Sequence, residues 1–234
     1  MEPHGGRLGQ AALDLHHVTR RDLSTRQRRL SLVSGYASPP EPEAAPAPDP
    51  CHLEAGGPGD LVQFDCFHIG RLSGTKGRLW QYTATDVASA FTWAEVHATP
   101  LNPAARFASG LAKRVAQDLA AAGWKLKVVM TDNGSEFKSG EFGQALAKLG
   151  AQQRFIRAGR PQTNGCVERV QRTILEECWR PTFARSLVPK STALKRDLKQ
   201  YLRYYNFERA HTGRRTNGKT PAEVVYGARK MRPR

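Results

Sequence analysis

Hydrophobic and polar residues alternate with a period of two in three consecutive segments. The segment 60–69 (DLVQFDCFHI) alternates and then becomes apolar, and segments 79–85 and 90–97 repeat the pattern after glycine-rich or polar turns. This period is typical of β-strands that are buried on at least one face. The DVAS turn between the second and third segments is short enough for a hairpin. The pattern therefore predicts three antiparallel strands.

The pattern then changes to a helical period. Within 103–122, Leu111, Val115 and Leu119 recur at every fourth position, a proline stands in the first turn and a glycine follows the end, which together predict a helix. The other predicted elements are a buried strand at 125–131, a helix at 141–149, a strand at 152–156, a helix at 166–179 and an amphipathic helix at 192–207. Strands and helices in this order predict an α/β fold with a mixed sheet flanked by helices.

The amino-terminal quarter has a different composition. Residues 38–50 (SPPEPEAAPAPDP) are too rich in proline and alanine to bury a core and are typical of a linker. Upstream, residues 19–33 (TRRDLSTRQRRLSLV) form a strongly basic stretch. The predicted organisation is a basic segment at 1–37, a linker at 38–57, a folded core domain at 58–227 and a basic tail at 228–234.

Charge points to a polyanionic partner. The chain has 36 Lys and Arg against 21 Asp and Glu, a formal net charge of +15. Pairing many such side chains with phosphates releases counterions and gives affinity for nucleic acid, although a merely basic soluble surface is the simpler alternative. No apolar run approaches the roughly 20 residues of a membrane span, and no signal peptide is evident, so we expect a cytoplasmic protein. The four cysteines lack CxxC spacing, which argues against a zinc ribbon and favours reduced thiols.

Three acids fall where side chains of a mixed sheet can converge. Asp65 lies among apolar neighbours in the first strand, where an unpaired dry carboxylate costs several kcal/mol. Asp132 closes a buried strand, and Glu168 lies in the first turn of a helix. Mg²⁺ or Mn²⁺ would neutralise such a cluster, and two ions about 4 Å apart can clamp a phosphodiester. Taken singly, Asp132 before Asn-Gly is also a typical turn residue, and Glu168 also complements a helix dipole.

Four motifs occur in order around these acids. They are PGDLVQFD, TDNGSEF, GRPQTNGCVERVQRT and YYNFERAHTGRRTNGKTPAEVVYG, and 35 residues lie between Asp132 and Glu168. From 58 to 227 the chain resembles the Asp-Asp-Glu (DDE) integrase-core family of retroviral-type integrases and insertion-sequence transposases. The resemblance implies a ribonuclease-H-like mixed five-stranded sheet flanked by helices. It also implies that Asp65, Asp132 and Glu168 are the catalytic residues and the ligands of two Mg²⁺ or Mn²⁺ ions.

The resemblance further implies an activity and its partners. A DDE-type polynucleotidyl transferase cleaves a DNA strand and joins the freed 3′-hydroxyl to target DNA during transposition. The partners would be transposon ends and target DNA, and the chain would act as a homo-oligomer on DNA at a prokaryotic nucleoid. Two alternatives stay open: a truncated, non-catalytic regulator of a full-length transposase, and a ribonuclease H, which the Asn-Gly loop and the closing motif disfavour.

Residues near the Glu are expected to approach the DNA backbone. The implied DNA-binding residues are Gln162, Thr163, Asn164, Gly165, Arg169 and Arg172. A polar, glycine-containing loop at a helix amino terminus offers N–H groups to phosphates. Arg172, four positions after the acid, shares its helical face and suits a phosphate near the metals. The alternative for both arginines is a solvated helix face.

Two features depart from the family pattern. Related cores often carry a Lys or Arg seven positions after the Glu, where this chain has Leu175. Full-length relatives also carry an amino-terminal helix-turn-helix. Residues 1–37 are compatible only with the end of such a domain, so we expect an amino-terminally truncated copy.

Several other polar residues are given structural roles. Asp86 follows the second strand and is expected to cap a turn. His68 lies an odd number of residues after Asp65, which places it on the opposite face of the strand. Glu176 and Glu177 are expected to face solvent, two turns beyond Glu168.

Overall fold

A computed structural model describes residues 55–71, 77–156, 165–185, 189–213 and 216–227. The predicted basic segment 1–37, the linker as far as residue 54, the loop at 157–164 and the tail at 228–234 lie outside the described residues. Within the described ranges, no helix is long and apolar enough to cross a bilayer.

The three strands predicted from alternation are present. They are β1 (Val62–Gly70), β2 (Arg78–Asp86) and β3 (Thr92–Thr99). β1 pairs antiparallel with β2, and β2 pairs antiparallel with β3, so the expectation of a three-stranded antiparallel unit is confirmed. His68 packs against Trp80 in β2, with ring centroids 4.9 Å apart.

Two short strands extend the sheet on the other side of β1. β4 (Val128–Thr131) and β5 (Gln152–Phe155) both run parallel to β1, and the strand order is β3-β2-β1-β4-β5. β4 is three residues shorter than the predicted strand at 125–131. Lys127 still bonds to Gly59 and to Gln152, but Gly59, with a φ of 83°, turns the chain before β1 begins, so the regular pairing with β1 starts only at Val129.

Helices cover both faces of this mixed sheet. They are α1 (Ala105–Ala121), α2 (Ser135–Lys138), α3 (Gly140–Lys148), α4 (Gly165–Ile174), α5 (Arg180–Arg185), α6 (Ser191–Phe207) and α7 (Pro221–Tyr226). A π-helical segment, Leu175–Trp179, joins α4 to α5. The predicted helix at 166–179 therefore continues to Arg185. α2 and α7 were not predicted, because four and six residues are too short to show a periodicity.

Alternation along β1 assigns its side chains to two cores. Val62 and Phe64 pack with residues of α1 and α3 in one core. Ile69 lies in a second core with Val170 and Ile174 of α4 and with buried residues of α6. Odd-numbered side chains of β1 therefore face α4, and even-numbered ones face α1.

Asn206 and Arg209, both from the final sequence motif, fasten the carboxyl-terminal end of α6 to its neighbours. The Asn206 amide donates to the carbonyl of Thr92, at 2.7 Å, and accepts from its N–H, at 2.9 Å, as a neighbouring strand would. Arg209 forms an ion pair with Glu177. Glu177, which also accepts from the Tyr201 hydroxyl at 2.8 Å, is exposed as expected but is engaged in these contacts rather than only solvated.

Candidate active site

The parallel pairing of β1 and β4 brings two of the predicted acids level with each other. Phe64 lies beside Thr131, and the same register continued by one residue places Asp65 beside Asp132. β4 ends at Thr131, so Asp132 lies just past its carboxyl end. Ligand-carrying residues favour this edge of a parallel sheet.

Glu168 reaches the same region from α4. The backbone N–H of Val167 donates to the side-chain oxygen of Gln63 in β1, at 3.1 Å. Gln63 lies two residues before Asp65 and therefore shares its face of the strand. This contact fastens the first turn of α4, which carries Glu168, against the strand that carries Asp65.

Burial and the charges of neighbouring acids both act on the pKa of Asp65. Burial is the largest cause that raises the pKa of Asp65, to about 8, and the negative charge of Asp132 is the next. The Cys66 N–H, 2.8 Å from the Asp65 carboxylate, lowers this pKa, and the charges of Glu168 and Glu136 raise it further. Asp65 therefore lies in a desolvated and strongly negative environment, which disfavours its ionised form when no cation is near.

Asp132 also makes the turn that its sequence context indicates. Its Oδ1 accepts the N–H of Gly134 at 2.9 Å, and the Asn133 amide donates to the carbonyl of Ile156 at 3.3 Å. Such a turn holds an aspartate in place by its own backbone. The turn role and the site role are therefore compatible, because the turn fixes Asp132 at the end of β4.

Glu136 is a fourth acid that the sequence reasoning missed. It is only 7% exposed, and burial raises its pKa, whereas hydrogen bonds to the Cys66 thiol and the Ser135 hydroxyl lower it. A Cβ atom at residue 134 would lie 2.8 to 2.9 Å from the Glu136 carboxyl atoms, so Gly134 provides the space that this side chain occupies. Its position four residues after Asp132 within TDNGSEF was the available signal.

The predicted DNA contacts are only partly within the described chain. Gly165 is the first residue of α4, and Arg169 and Arg172 are exposed on that helix. Gln162, Thr163 and Asn164 lie outside the described residues. A ligand approaching from solvent can therefore reach both arginines, which lie on the same helix as Glu168.

The donors suit a hard divalent cation. Asp65, Asp132 and Glu168 offer only oxygen atoms, the ligands that Mg²⁺ and Mn²⁺ prefer. Burial raises the pKa of the Cys66 thiol well above its usual value, so this sulfur is a neutral thiol and a poor competing ligand. Within the parts of the chain that the structure describes, no three His, Cys, Asp or Glu side chains converge closely enough to hold one metal ion.

A fully buried aspartate elsewhere on the sheet has a structural role. Asp86 is fully buried at the end of β2 and accepts three hydrogen bonds. The donors are the N–H of Gly59 at 2.8 Å, the N–H of Ser89 at 2.8 Å and the Ser89 hydroxyl at 2.5 Å. The prediction that Asp86 caps the turn between β2 and β3 is confirmed.

Comparison with protein families gives two overlapping matches. Both family models are described as an integrase core domain, and they match residues 55–161 and 149–221. The two matches together span all four acids. No curated protein sequence matches this chain significantly.

Solved structures of viral integrases share the fold. The chain is 21% identical to a chain of the simian T-cell lymphotropic virus intasome in complex with the PP2A regulatory subunit B56 gamma, with a TM-score of 0.59 over 78% of this chain and 59% of that one. The magnesium complex of the HTLV-2 integrase catalytic core domain is 17% identical, with a TM-score of 0.55 over 74% of this chain and 99% of that one.

The catalytic core domain of BIV integrase is 19% identical, with a TM-score of 0.52 over 72% of this chain and 95% of that one. This chain therefore spans about three fifths of the simian viral chain and nearly all of the two isolated cores. The mixed five-stranded sheet flanked by helices is the ribonuclease-H-like fold of integrase catalytic cores, and the predicted fold class is confirmed.

Proposed function

Because the chain belongs to the integrase-core family, we propose that it is a DDE-type polynucleotidyl transferase that cleaves a DNA strand and joins the freed 3′-hydroxyl to target DNA. The observation that carries the proposal is the register of β1 and β4, which places Asp65 beside Asp132, with Glu168 on a helix bonded to the same strand. The family membership supports DNA strand transfer as the chemistry of this acidic edge.

We assign Asp65, Asp132 and Glu168 as the residues that would hold two Mg²⁺ or Mn²⁺ ions. Such a pair supplies activation of the attacking water or 3′-hydroxyl and stabilisation of the leaving oxygen. The HTLV-2 core that shares this fold is a magnesium complex. Pairing within the sheet fixes Asp65, and a turn after β4 fixes Asp132. The ends of these two strands would form one side of the site, and α4 would supply Glu168.

DNA is the proposed partner. The net charge of +15 supports binding to a polyanion, and Arg169 and Arg172 lie exposed on the helix of Glu168, where they would contact phosphates. We propose that the loop residues Gln162 to Asn164, together with Gly165, approach the backbone beside them. A homo-oligomer on paired transposon ends is the proposed assembly, acting at a prokaryotic nucleoid as an insertion-sequence transposase. The simian viral relative comes from an intasome, which supports assembly.

The test is replacement of each acid by its amide. Asp65→Asn, Asp132→Asn and Glu168→Gln should each reduce Mg²⁺-dependent nicking and strand transfer by at least about 10³-fold, because each removes a charged oxygen ligand and leaves the shape of the side chain. Asp60→Asn is the matched control, since Asp60 is bonded to Lys127 on the surface before β1 and should retain activity.

Three results would contradict the assignment. Near-normal strand transfer by the Asp132→Asn variant would contradict the assignment of the metal site. Binding to pre-nicked transposon ends with Mn²⁺ present but without products would favour a non-catalytic regulator. Cleavage of RNA–DNA hybrids without any activity on DNA would favour a ribonuclease H.

A further inference from the structure

Gln63 is a buried side chain that joins the strand of Asp65 to the helix of Glu168. It is 1% exposed, and its oxygen accepts the N–H of Val167 at 3.1 Å. Gln63 is two residues before Asp65, and Val167 is one residue before Glu168. A hydrogen bond across 104 positions of the sequence therefore links a residue two positions before Asp65 to the residue just before Glu168.

The backbone N–H of Val167 needs an acceptor because of its place at the start of α4. The first four N–H groups of a helix have no partner within that helix, and Val167 is the third residue of α4. The acceptor for this N–H is usually a local capping side chain. In this protein it comes from β1, so the bond fixes where the helix begins relative to the sheet, which a local cap does not do.

The position of α4 matters for the chemistry because Glu168 is its contribution to the site. Oxygen ligands of a metal must lie within about 0.2 Å of their ideal distances. Asp65 is fixed in a paired strand, so the remaining freedom is that of the helix. A shift of α4 along β1 would change the distance between Glu168 and Asp65, although both side chains would still be present.

We propose that Gln63 is a positioning residue that sets the separation between Asp65 and Glu168 for binding a divalent cation. This proposal rests on the proposed function. Gln81 is the natural comparison, since it is a second fully buried glutamine in the adjacent strand. It accepts from the Trp179 indole at 2.6 Å and donates to Thr83 at 2.8 Å, so it holds the π-helical segment, which is beyond the acids.

The experiment compares Gln63→Met with Gln81→Met in the full chain. Both changes remove a buried amide and keep a similar volume, and both should lower stability. Mn²⁺ binding without DNA should weaken about 10- to 100-fold in Gln63→Met, the usual effect of losing an outer partner of a metal site, and less than about threefold in Gln81→Met. Strand transfer by Gln63→Met should lose kcat, with the KM for DNA changed less than about threefold.

A conservative variant tests the mechanism separately. Gln63→Glu keeps an oxygen at the same place and should preserve slow hydrogen exchange of the Val167 amide, which Gln63→Met should accelerate. The wild-type chain without metal should already protect this amide. Exchange there at the rate of an unstructured amide would overturn the proposal even if Gln63→Met fails to fold.

Two outcomes separate this proposal from the proposed function. Wild-type strand transfer combined with unchanged Mn²⁺ affinity in Gln63→Met would overturn the positioning role and leave the enzyme assignment intact. Mn²⁺ binding that depends on Gln63 but not on Gln81, in a chain without strand transfer, would support the positioning role and contradict the enzyme assignment.

Discussion

Asp65, which is half-buried, and Asp86, which is fully buried, lie on the same antiparallel pair of strands, and burial raises the pKa of both. Their neighbours differ. Asp86 accepts hydrogen bonds from Gly59 and from the backbone and hydroxyl of Ser89, and these contacts lower its pKa. Around Asp65, the Cys66 N–H lowers the pKa, whereas the charges of three other acids raise it.

The difference teaches how a structural acid is distinguished from an acid that we propose holds a cation. Burial alone does not separate them, because it acts on both. The donors around Asp86 already compensate its charge within the fold, whereas the surroundings of Asp65 would become favourable for a carboxylate only with an added cation. Three predictions test this contrast.

The largest expected effect is on stability. Asp86→Ala should lower the free energy of unfolding by about 3 kcal/mol, because it leaves two buried backbone N–H groups and a hydroxyl without their acceptor. Asp65→Ala should leave stability unchanged or raise it, because at pH 7 folding forces this carboxyl to keep a proton that it releases in the unfolded chain. Urea unfolding at pH 7 with a chelator measures both, and a larger loss in Asp65→Ala would contradict the contrast.

The second prediction concerns pH. Between an unfolded pKa near 4 and the folded pKa of about 8, the folded chain keeps a proton on Asp65 that the unfolded chain has released. Stability should therefore fall as pH rises through this window, by at most about 1.4 kcal/mol per pH unit from this group. Asp65→Asn should flatten the dependence. Urea unfolding at pH 5, 6 and 7 without divalent cations gives the two slopes, and equal slopes would count against the assignment.

The smallest effect is that of the cation itself. Mn²⁺ at about ten times its Kd should stabilise the wild-type chain by about 1.4 kcal/mol, a rise in Tm of a few degrees. This increase in Tm should disappear in Asp65→Asn. It should persist in Asp86→Asn, because residue 86 lies outside the proposed site. Thermal melts with Mn²⁺ or with a chelator measure it, and a rise that survives in Asp65→Asn would place the cation elsewhere.

Much of the fold was predictable because its strands and long helices are periodic. Alternation predicted β1, β2 and β3, and spacing by four predicted α1 and α6. The short helix α7 was not predicted, although Thr220 and Glu223 form a reciprocal capping box around Pro221. Capping depends on a few residues and carries no period, so a short helix is easily missed.

For the candidate site, the sequence predicted the acids but not what holds them. Asp65, Asp132 and Glu168 were predicted as site residues from strand ends and motifs, and they stay predictions. Gln63 and Glu136 were not, because the first acts through a contact 104 residues away and the second through the space left by Gly134. Contacts of this kind depend on how the strand and helix meet, which no local pattern records.

The π-helical segment affects how this protein should be aligned with its relatives. Its hydrogen bonds span five residues instead of four, so each turn there contains about one extra residue. Counting positions from Glu168 therefore identifies the helical face correctly only as far as Ile174. Leu175, the residue that departs from the family pattern, is the first residue of this wider turn. An alignment that admits a one-residue gap there would compare a different side chain. A one-residue deletion within Leu175–Trp179 should convert the wide turn into an ordinary α-helical turn and keep the orientation of α5 relative to α4.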